Sequence, residues 1–178
     1  MTDGAARSAL VITVSDGVAA GVREDASGAG LADRLAALGY AVERSVTPDD
    51  EAVIAAAIMA GAAGHPLVVT TGGTGLTPRD VTPQATRGVL DYEVPGLAEA
   101  MRAAGRMKTP LADLSRGLVG VLGRSLVVNV PGSPKAALES LEAIEGVLEH
   151  ALDTLAGPYD HDPRTSDVDG RGPGAAAS

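Results

Sequence analysis

Short apolar runs alternate with helix-like segments along most of the chain, and this alternation limits the possible folds more than any other feature. Residues 9–14 (ALVITV) and 66–71 (PLVVTT) are apolar or β-branched over the length of a strand that is buried on both faces. Between them, residues 31–39 place leucines at helical spacing, and a second helical pattern follows the proline and acidic residues at 48–51. The alternation predicts an α/β fold, a single-domain three-layer α-β-α sandwich around a mostly parallel sheet.

The second half of the domain continues this pattern. Residues 81–105 predict two short helices that are broken near Pro95, and residues 131–157 predict one long amphipathic helix with leucines along one stripe. Further strand-like runs occupy residues 41–47, 118–123 and 125–130.

The last segment of the chain differs from the rest in composition. It has no apolar period and is rich in Gly, Pro and Asp. A segment of this kind cannot bury enough apolar surface to fold. We therefore expect a folded domain over residues 1–157 and a disordered C-terminal tail over residues 158–178.

Charge and composition exclude several classes of function. The chain carries 14 Lys and Arg against 23 Asp and Glu, a formal net charge of −9, and only 2% aromatic residues. Nucleic-acid binding requires a basic face or aromatic stacking platforms, so we expect no nucleic-acid partner. With no cysteine, disulfides and thiol chemistry are excluded. No signal peptide and no apolar run near 18 residues are present, so we expect a cytoplasmic protein with no membrane partner.

A glycine-rich loop directly follows the second buried run, in the sequence TTGGTGLTPRD at residues 70–80. This lysine-free sequence matches neither the phosphate loop of nucleoside triphosphatases nor the dinucleotide-binding fingerprint. Gly72, Gly73 and Gly75 permit positive φ and close backbone approach, and amides that point one way form a nest that holds phosphate without lysine. Taken alone, the same loop suits a simple turn equally well.

Two carboxylates lie where strands of the predicted sheet end. The loops at 15–21, 71–80 and 131–135 leave such strand ends, where ligands of parallel sheets bind. Asp49 and Asp80 also follow strand ends, and a pair of carboxylates suits Mg²⁺, which takes one or two of them together with substrate phosphates. The residues alone leave an alternative open: Asp49 could cap or stabilise its helix, and Asp80 could cap the helix that begins in VTPQAT.

Several blocks together resemble one known family. TTGGTGLTPRDVTPQAT followed by DYEVPGLAEAMR strongly resembles the molybdopterin adenylyltransferases, the MogA and MoaB proteins of molybdenum cofactor biosynthesis, and is similar to the G domains of plant Cnx and gephyrin. ITVSDGVAAGVREDASG, TPDDEAV, LSRGLVGV and VNVPGSPKAA match further family segments in the family's order. The likeness covers about residues 9–157 and is far more specific than one glycine cluster.

The resemblance implies a reaction and a set of site residues. The reaction is Mg²⁺-dependent transfer of AMP from ATP to the terminal phosphate of molybdopterin, with release of pyrophosphate. Asp49 and Asp80 match the family's catalytic carboxylates and would hold the Mg²⁺. Arg116 would contact the pterin or its phosphate. The other residues implied in binding substrate or nucleotide are Ser15, Asp16, Thr71, Gly72, Gly73, Thr74, Gly75, Ser115, Gly132, Ser133 and Lys135.

The resemblance also implies partners. The family assembles into trimers or hexamers, so we expect a homo-oligomer. Eukaryotic relatives carry a fused metal-inserting domain for which this sequence has no room, so a separate molybdenum insertase is expected.

Three other functions are compatible with parts of the sequence. The first is a MoaB-like carrier or scaffold that binds molybdopterin without adenylyl transfer, and the second is an interaction protein with a vestigial site. Asp49 and Asp80 argue against both, because a pure binder has no need of a metal-holding pair. The third, a generic nucleotide-binding fold that acts on an unrelated substrate, is disfavoured by the several matching blocks.

Overall fold

The computed structural model describes residues 7–157, and the predicted tail lies outside this part of the chain. Its six strands are β1 (Ser8–Val14), β2 (Ala41–Thr47), β3 (Leu67–Thr71), β4 (Tyr92–Glu93), β5 (Val119–Leu122) and β6 (Ser125–Val130). Its α-helices are α1 (Asp16–Ala19), α2 (Ala26–Ala37), α3 (Glu51–Gly64), α4 (Thr82–Arg87), α5 (Pro95–Arg106), α6 (Pro134–Glu142) and α7 (Glu145–Ala156). A 3-10 helix spans Pro110–Leu114. Within the described residues, no helix combines the length and apolar character needed to cross a membrane.

All six strands join one sheet in the order β2-β1-β3-β6-β5-β4. The first four strands of this order run parallel, and β5 and β4 add an antiparallel edge. In the register, Thr71 pairs with Thr13 on one side and with Val130 on the other, and Val14 pairs with Thr47. The carboxyl ends of β2, β1, β3 and β6 therefore lie side by side at one edge of the sheet.

Each face of the sheet packs against its own layer of helices. Val11 belongs to an apolar cluster with residues of α2, α5, α6 and α7, whereas the adjacent Ile12 belongs to a cluster with residues of α3 and α4. Successive side chains of a strand point to opposite faces, so β1 is buried on both sides. The predicted α/β fold, a mostly parallel sheet between two helical layers, is confirmed.

The C-terminal helical region is broken, whereas the sequence predicts one helix over residues 131–157. Helix α6 ends at Glu142, α7 begins at Glu145, and Ile144 between them is only 2% exposed. Gly146 lies in the first turn of α7, and glycine weakens the interior of a longer helix, so local propensity favours a break near this point. The burial of Ile144 in the core shared with α2 and α7 supplies a reason that periodicity could not reveal.

Helix α2 begins at Ala26, whereas the leucine spacing predicts a helix over residues 31–39. The predicted loop at 15–21 contains the short helix α1. Asp25 caps α2 by accepting a hydrogen bond from the Gly28 amide at 2.9 Å. The same carboxylate accepts from the Thr13 hydroxyl at 2.9 Å and from Arg44 at 2.5 Å. Burial by itself would raise the pKa of Asp25, but the bonds from Arg44, Thr13 and Gly28 outweigh it and lower this pKa. Capping, rather than the leucine period, therefore sets where α2 begins.

The Asp25 bonds predict a pH dependence of stability. A carboxyl with a lowered pKa stabilises the fold above its unfolded pKa, about 3.9, and this contribution is lost as the pH falls through the folded pKa. Asp25→Asn should lower the free energy of unfolding at pH 7 by about 1 kcal/mol and flatten its decline at acidic pH. Urea unfolding from pH 7 to pH 3 measures both effects. Asp33→Asn, at an exposed position of the same helix, is the control. Equal curves for the two variants would contradict this account.

Candidate active site

The loops that follow the parallel strands meet at one edge of the sheet. The amide of Ser15, after β1, donates to the carbonyl of Thr47 at 2.9 Å. The hydroxyl of Thr71, at the end of β3, donates to the carbonyl of Pro131, after β6, at 2.8 Å. The Gly72 amide donates to the carbonyl of Val130 at 3.2 Å, so this one amide of the predicted nest is already used. The three predicted loops thus converge on one rim.

Two adjoining cavities open at this rim. One has a volume of about 550 Å³ and contains Asp49 in its wall; we call it the Asp49 cavity. The other, the Asp80 cavity, measures about 420 Å³ and has a mostly apolar wall with Asp80 near the glycine loop. Gly73 and Gly132 line both cavities, so the two spaces meet at these glycines.

The cavities divide most of the predicted site residues between them. The Asp49 cavity also contains Ser15, Thr71, Gly72 and Ser133. The Asp80 cavity also contains Thr74, Gly75 and Ser115. Asp16 and Lys135 line neither of these two cavities.

Asp49 lies between β2 and α3, where it makes a reciprocal pair with Asp16. Its Oδ2 accepts from the Asp16 amide at 2.9 Å, and its own amide donates to Asp16 Oδ1 at 3.0 Å. The N-cap of α3 is Asp50, which accepts from the Val53 amide at 3.0 Å. The alternative in which Asp49 caps its helix is therefore wrong. Arg79 pairs with the other Asp16 oxygen, and the Asp49 amide together with Arg79 lowers the pKa of Asp16.

Asp80 is held by its own loop. Its Oδ2 accepts from the Thr77 amide at 2.8 Å and from the Thr77 hydroxyl at 2.6 Å. Burial by itself would raise the pKa of Asp80, but the bonds from Thr77, the Gly75 amide and the charge of Arg116 outweigh it and lower this pKa. Helix α4 has Val81 at its N-cap position and no capping side chain, so the alternative of Asp80 as N-cap is also wrong.

The glycine loop is fixed against α4. Gly72 and Gly73 have φ values of 103° and 64°, a region that L side chains rarely adopt. The Thr82 hydroxyl donates to the Gly72 carbonyl at 2.9 Å, and the Thr82 amide donates to the Gly73 carbonyl at 3.1 Å. A Cβ on Gly73 would overlap the Thr82 hydroxyl oxygen, and one on Gly72 would overlap the carbonyl oxygen of Val14. Both glycines are therefore required by conformation and by space.

A buried polar network stands behind the loop, and the sequence analysis missed it. Asn129, only 1% exposed, donates to the hydroxyls of Thr70 at 2.9 Å and Thr86 at 3.0 Å, and it accepts from the Leu118 amide at 3.3 Å. Thr86 in turn donates to the carbonyl of Thr82 at 2.8 Å. The sequence contains two indications of this network. One is a lone amide side chain in the run SLVVNV, and the other is a pair of threonines four residues apart on one helical face.

The side chains at this edge of the sheet do not form a complete Mg²⁺ site by themselves. Within residues 7–157, no group of three or more His, Asp or Glu side chains is arranged to hold a metal ion. The two aspartates offer the hard oxygen ligands that Mg²⁺ prefers, and this ion is usually held by one or two carboxylates and by substrate phosphates. Asp49 and Asp80 thus offer oxygens of the right chemistry for an Mg²⁺ ion that is bound together with a phosphorylated ligand.

The chain is similar to a known protein family and to individual named proteins. The family model described as "Probable molybdopterin binding domain" matches residues 10–150. The chain is 36% identical over 156 residues to a molybdopterin adenylyltransferase of Helicobacter pylori, covering 84% of this chain and 88% of that protein. It is 43% identical over 154 residues to a molybdenum cofactor biosynthesis bifunctional protein of Synechococcus elongatus, covering 84% of this chain but 47% of the relative. The chain thus spans about half the length of that relative.

A solved structure shares the fold. The crystal structure of the molybdopterin biosynthesis enzyme MoaB from Thermus thermophilus matches with a TM-score of 0.76 and 47% sequence identity. The match covers 85% of this chain and 98% of that one.

The need for positive φ at Gly73 and the need for space beside Thr82 can be separated by a matched pair of substitutions. Gly73→Ala should be destabilised both by the positive φ and by overlap with Thr82. Gly123, in the β5–β6 turn, also has a positive φ, 60°, but it has open space around it. Gly123→Ala should therefore lower the free energy of unfolding by about 1–2 kcal/mol, and Gly73→Ala should lower it by more. Urea unfolding of both variants measures the difference. Equal losses would show that Thr82 does not restrict this position.

Proposed function

The chain belongs to the family of molybdopterin-binding domains, and from this premise we propose that it is a molybdopterin adenylyltransferase of molybdenum cofactor biosynthesis. It would transfer AMP from ATP to the phosphate of molybdopterin and release pyrophosphate. The names of its relatives in Helicobacter pylori and Synechococcus elongatus support this proposal.

One observation carries the proposal: two cavities, each with one of the aspartates implied by the family resemblance, meet at Gly73 and Gly132. Both volumes, about 420 and 550 Å³, lie in the range of small-molecule sites. Because the two residues common to both linings are glycines, neither of them places a side chain between a ligand in one cavity and a ligand in the other. The two reacting phosphates could therefore come together there.

The chain's own residues would act by positioning and by electrostatics, which supply most of the catalysis in phosphoryl transfer. The backbone of Gly73 and Thr74 would face a phosphate at the junction. Gly132 and Ser133 precede α6, whose amino-terminal end favours anions, and Ser133 makes no capping bond that would occupy its hydroxyl. Lys135 in the first turn of α6 would add positive charge near this end.

The metal would be held by Asp49 and Asp80. When bound together with the phosphates, Mg²⁺ supplies positive charge to their oxygens and to the leaving pyrophosphate. An anionic protein that brings two polyanions together needs such compensation, since its net charge is −9. The bonds from Thr77 and from the Asp16 amide would orient the two carboxylates before the ligands arrive.

A second candidate function is a carrier or scaffold that binds molybdopterin without transferring AMP. It is favoured by the fact that Asp49 and Asp80 line different cavities and each already accepts hydrogen bonds from nearby residues.

The adenylyltransferase and the carrier make opposite predictions for one experiment. The purified protein is incubated with molybdopterin, ATP and Mg²⁺, and the products are identified by mass spectrometry. Adenylylated molybdopterin and pyrophosphate support the transferase, whereas bound, unmodified pterin supports the carrier.

The cellular context is part of the same proposal. We propose that the protein works in the cytoplasm as a homo-oligomer, a trimer or a hexamer, and that a separate molybdenum insertase consumes its product. Exposed apolar side chains such as Val22, Leu76, Met107 and Leu111 offer surface that an oligomer could bury. Light scattering after size-exclusion chromatography measures the number of subunits.

The carboxylates can be tested with a neighbouring control. Asp49→Asn and Asp80→Asn should each lower the rate of AMP transfer at least about 100-fold, because an amide is a poor ligand for Mg²⁺. Asp50→Asn should keep nearly wild-type activity, because asparagine also caps helices well and Asp50 lies outside both cavities. Initial rates at saturating Mg²⁺, with pterin affinity measured separately, provide the comparison. Unchanged turnover in Asp49→Asn or Asp80→Asn would remove that residue from the mechanism.

A further inference from the structure

All three guanidinium nitrogens of Arg116 donate hydrogen bonds, two to the glycine loop and one to helix α4. Its Nε donates to the Gly75 carbonyl at 2.6 Å, and its Nη2 donates to the Asp80 carbonyl. Its Nη1 donates to Gln84 Oε1 on α4 at 3.2 Å. The two carbonyls lie at opposite ends of the segment from Gly75 to Asp80, so one side chain spans this segment.

The backbone at Arg116 and the two residues after it contacts both the glycine loop and the sheet. Its amide donates to the Thr74 carbonyl at 2.9 Å. A Cβ on the next residue, Gly117, would lie 2.8 Å from the Asn129 carbonyl oxygen, which shows how closely the chain passes β6. Leu118 exchanges two hydrogen bonds with Asn129, at 2.9 and 3.3 Å. Arg116 therefore connects the loop to the most buried part of the fold.

The segment that Arg116 spans contains the bonds that orient the Asp80 carboxylate. Thr77 lies between the two clamped carbonyls and holds Asp80 Oδ2 with its amide and hydroxyl. The Asp80 amide returns a bond to the Thr77 carbonyl at 3.0 Å. A change in the spacing between Gly75 and Asp80 would therefore move the carboxylate relative to its cavity.

We propose that Arg116 is a positioning residue for Asp80: its forked guanidinium fixes the ends of the Gly75–Asp80 segment and thereby aims the Asp80 carboxylate into the Asp80 cavity. The catalytic consequence of this role rests on the proposed adenylyl transfer. The structural part, control of the carboxylate, stands on the hydrogen bonds alone.

This role differs from the contact with the pterin or its phosphate that the sequence analysis expects for Arg116. All three nitrogens of the guanidinium already donate to protein acceptors. The residues before and after it, Ser115 and Gly117, line the Asp80 cavity, whereas Arg116 does not. Because all three acceptors are neutral carbonyl or amide oxygens, the planar shape of the guanidinium matters more than its charge, and lysine would be a poor replacement.

The first test requires no turnover. The Thr77 amide donates to the Asp80 carboxylate, so its signal in ¹⁵N-labelled protein reports where that carboxylate lies. Arg116→Lys, which keeps the charge and loses the fork, should shift the Thr77 signal and speed its amide hydrogen exchange at least about tenfold. Arg87→Lys is the matched control, because Arg87 makes a surface pair with Glu93 outside both cavities. A Thr77 signal unchanged in Arg116→Lys would overturn the proposal.

A milder variant covers the case in which Arg116→Lys does not fold. Gln84→Leu removes only the acceptor of Nη1, so it should move the Thr77 signal in the same direction by a smaller amount. No movement in this variant, with Arg116→Lys unfolded, would assign Arg116 a role in overall stability and overturn the positioning role.

The second test separates positioning from substrate contact. In AMP transfer, Arg116→Lys should lower kcat about 10–100-fold and raise the Mg²⁺ concentration for half-maximal rate, with KM for molybdopterin changed less than about twofold. Arg87→Lys should leave all three values unchanged. A large rise in the KM for molybdopterin with kcat unchanged would assign Arg116 to substrate binding instead. If the wild-type protein transfers no AMP, the proposed function fails, while the Thr77 measurement still decides the role of Arg116.

Discussion

The side-chain amide of Asn129 is the interaction on which the functional edge of this protein depends. It lies in the centre of the sheet and joins β3, through Thr70, to α4, through Thr86, while its oxygen accepts from Leu118. A buried amide without these partners would cost about 1–3 kcal/mol for each unpaired group, so the network favours a single arrangement of the three elements. The glycine loop between β3 and α4 is held in that arrangement.

The fixed position of the glycine loop determines which groups face the two cavities. Gly72 and Gly73 keep positive φ, and Gly73 exposes backbone rather than a side chain where the two cavities meet. Asp49 lines one of these cavities and Asp80 lines the other, and each carboxylate accepts hydrogen bonds from its own surroundings. Preorganised groups of this kind need little rearrangement when ligands bind, which is the main way in which a protein assists phosphoryl transfer.

The sequence predicts the sheet, the convergence of its loops and the family, because apolar runs of strand length and ordered motif blocks are strong local patterns. It does not predict the break at Ile144, which depends on burial against other elements as well as on the helix-weakening Gly146. Nor does it predict that Asp50 caps α3 while Asp49 turns to Asp16, since both aspartates suit a helix start equally well. The bonds of Arg116 to Gly75 and Asp80 join residues about 40 positions apart and leave no local pattern.

The central claim is that the two cavities form one reaction site at Gly73 and Gly132, with the metal between the two aspartates. Crystals grown with molybdopterin, a non-hydrolysable ATP analogue and Mn²⁺ in place of Mg²⁺ test it most directly, because anomalous diffraction locates the manganese. The account predicts a Mn²⁺ ion at the junction, coordinated by Asp49, by Asp80 and by phosphate oxygens of the ligands. A manganese ion bound away from either carboxylate, or phosphates that lie far apart in separate cavities, would contradict it.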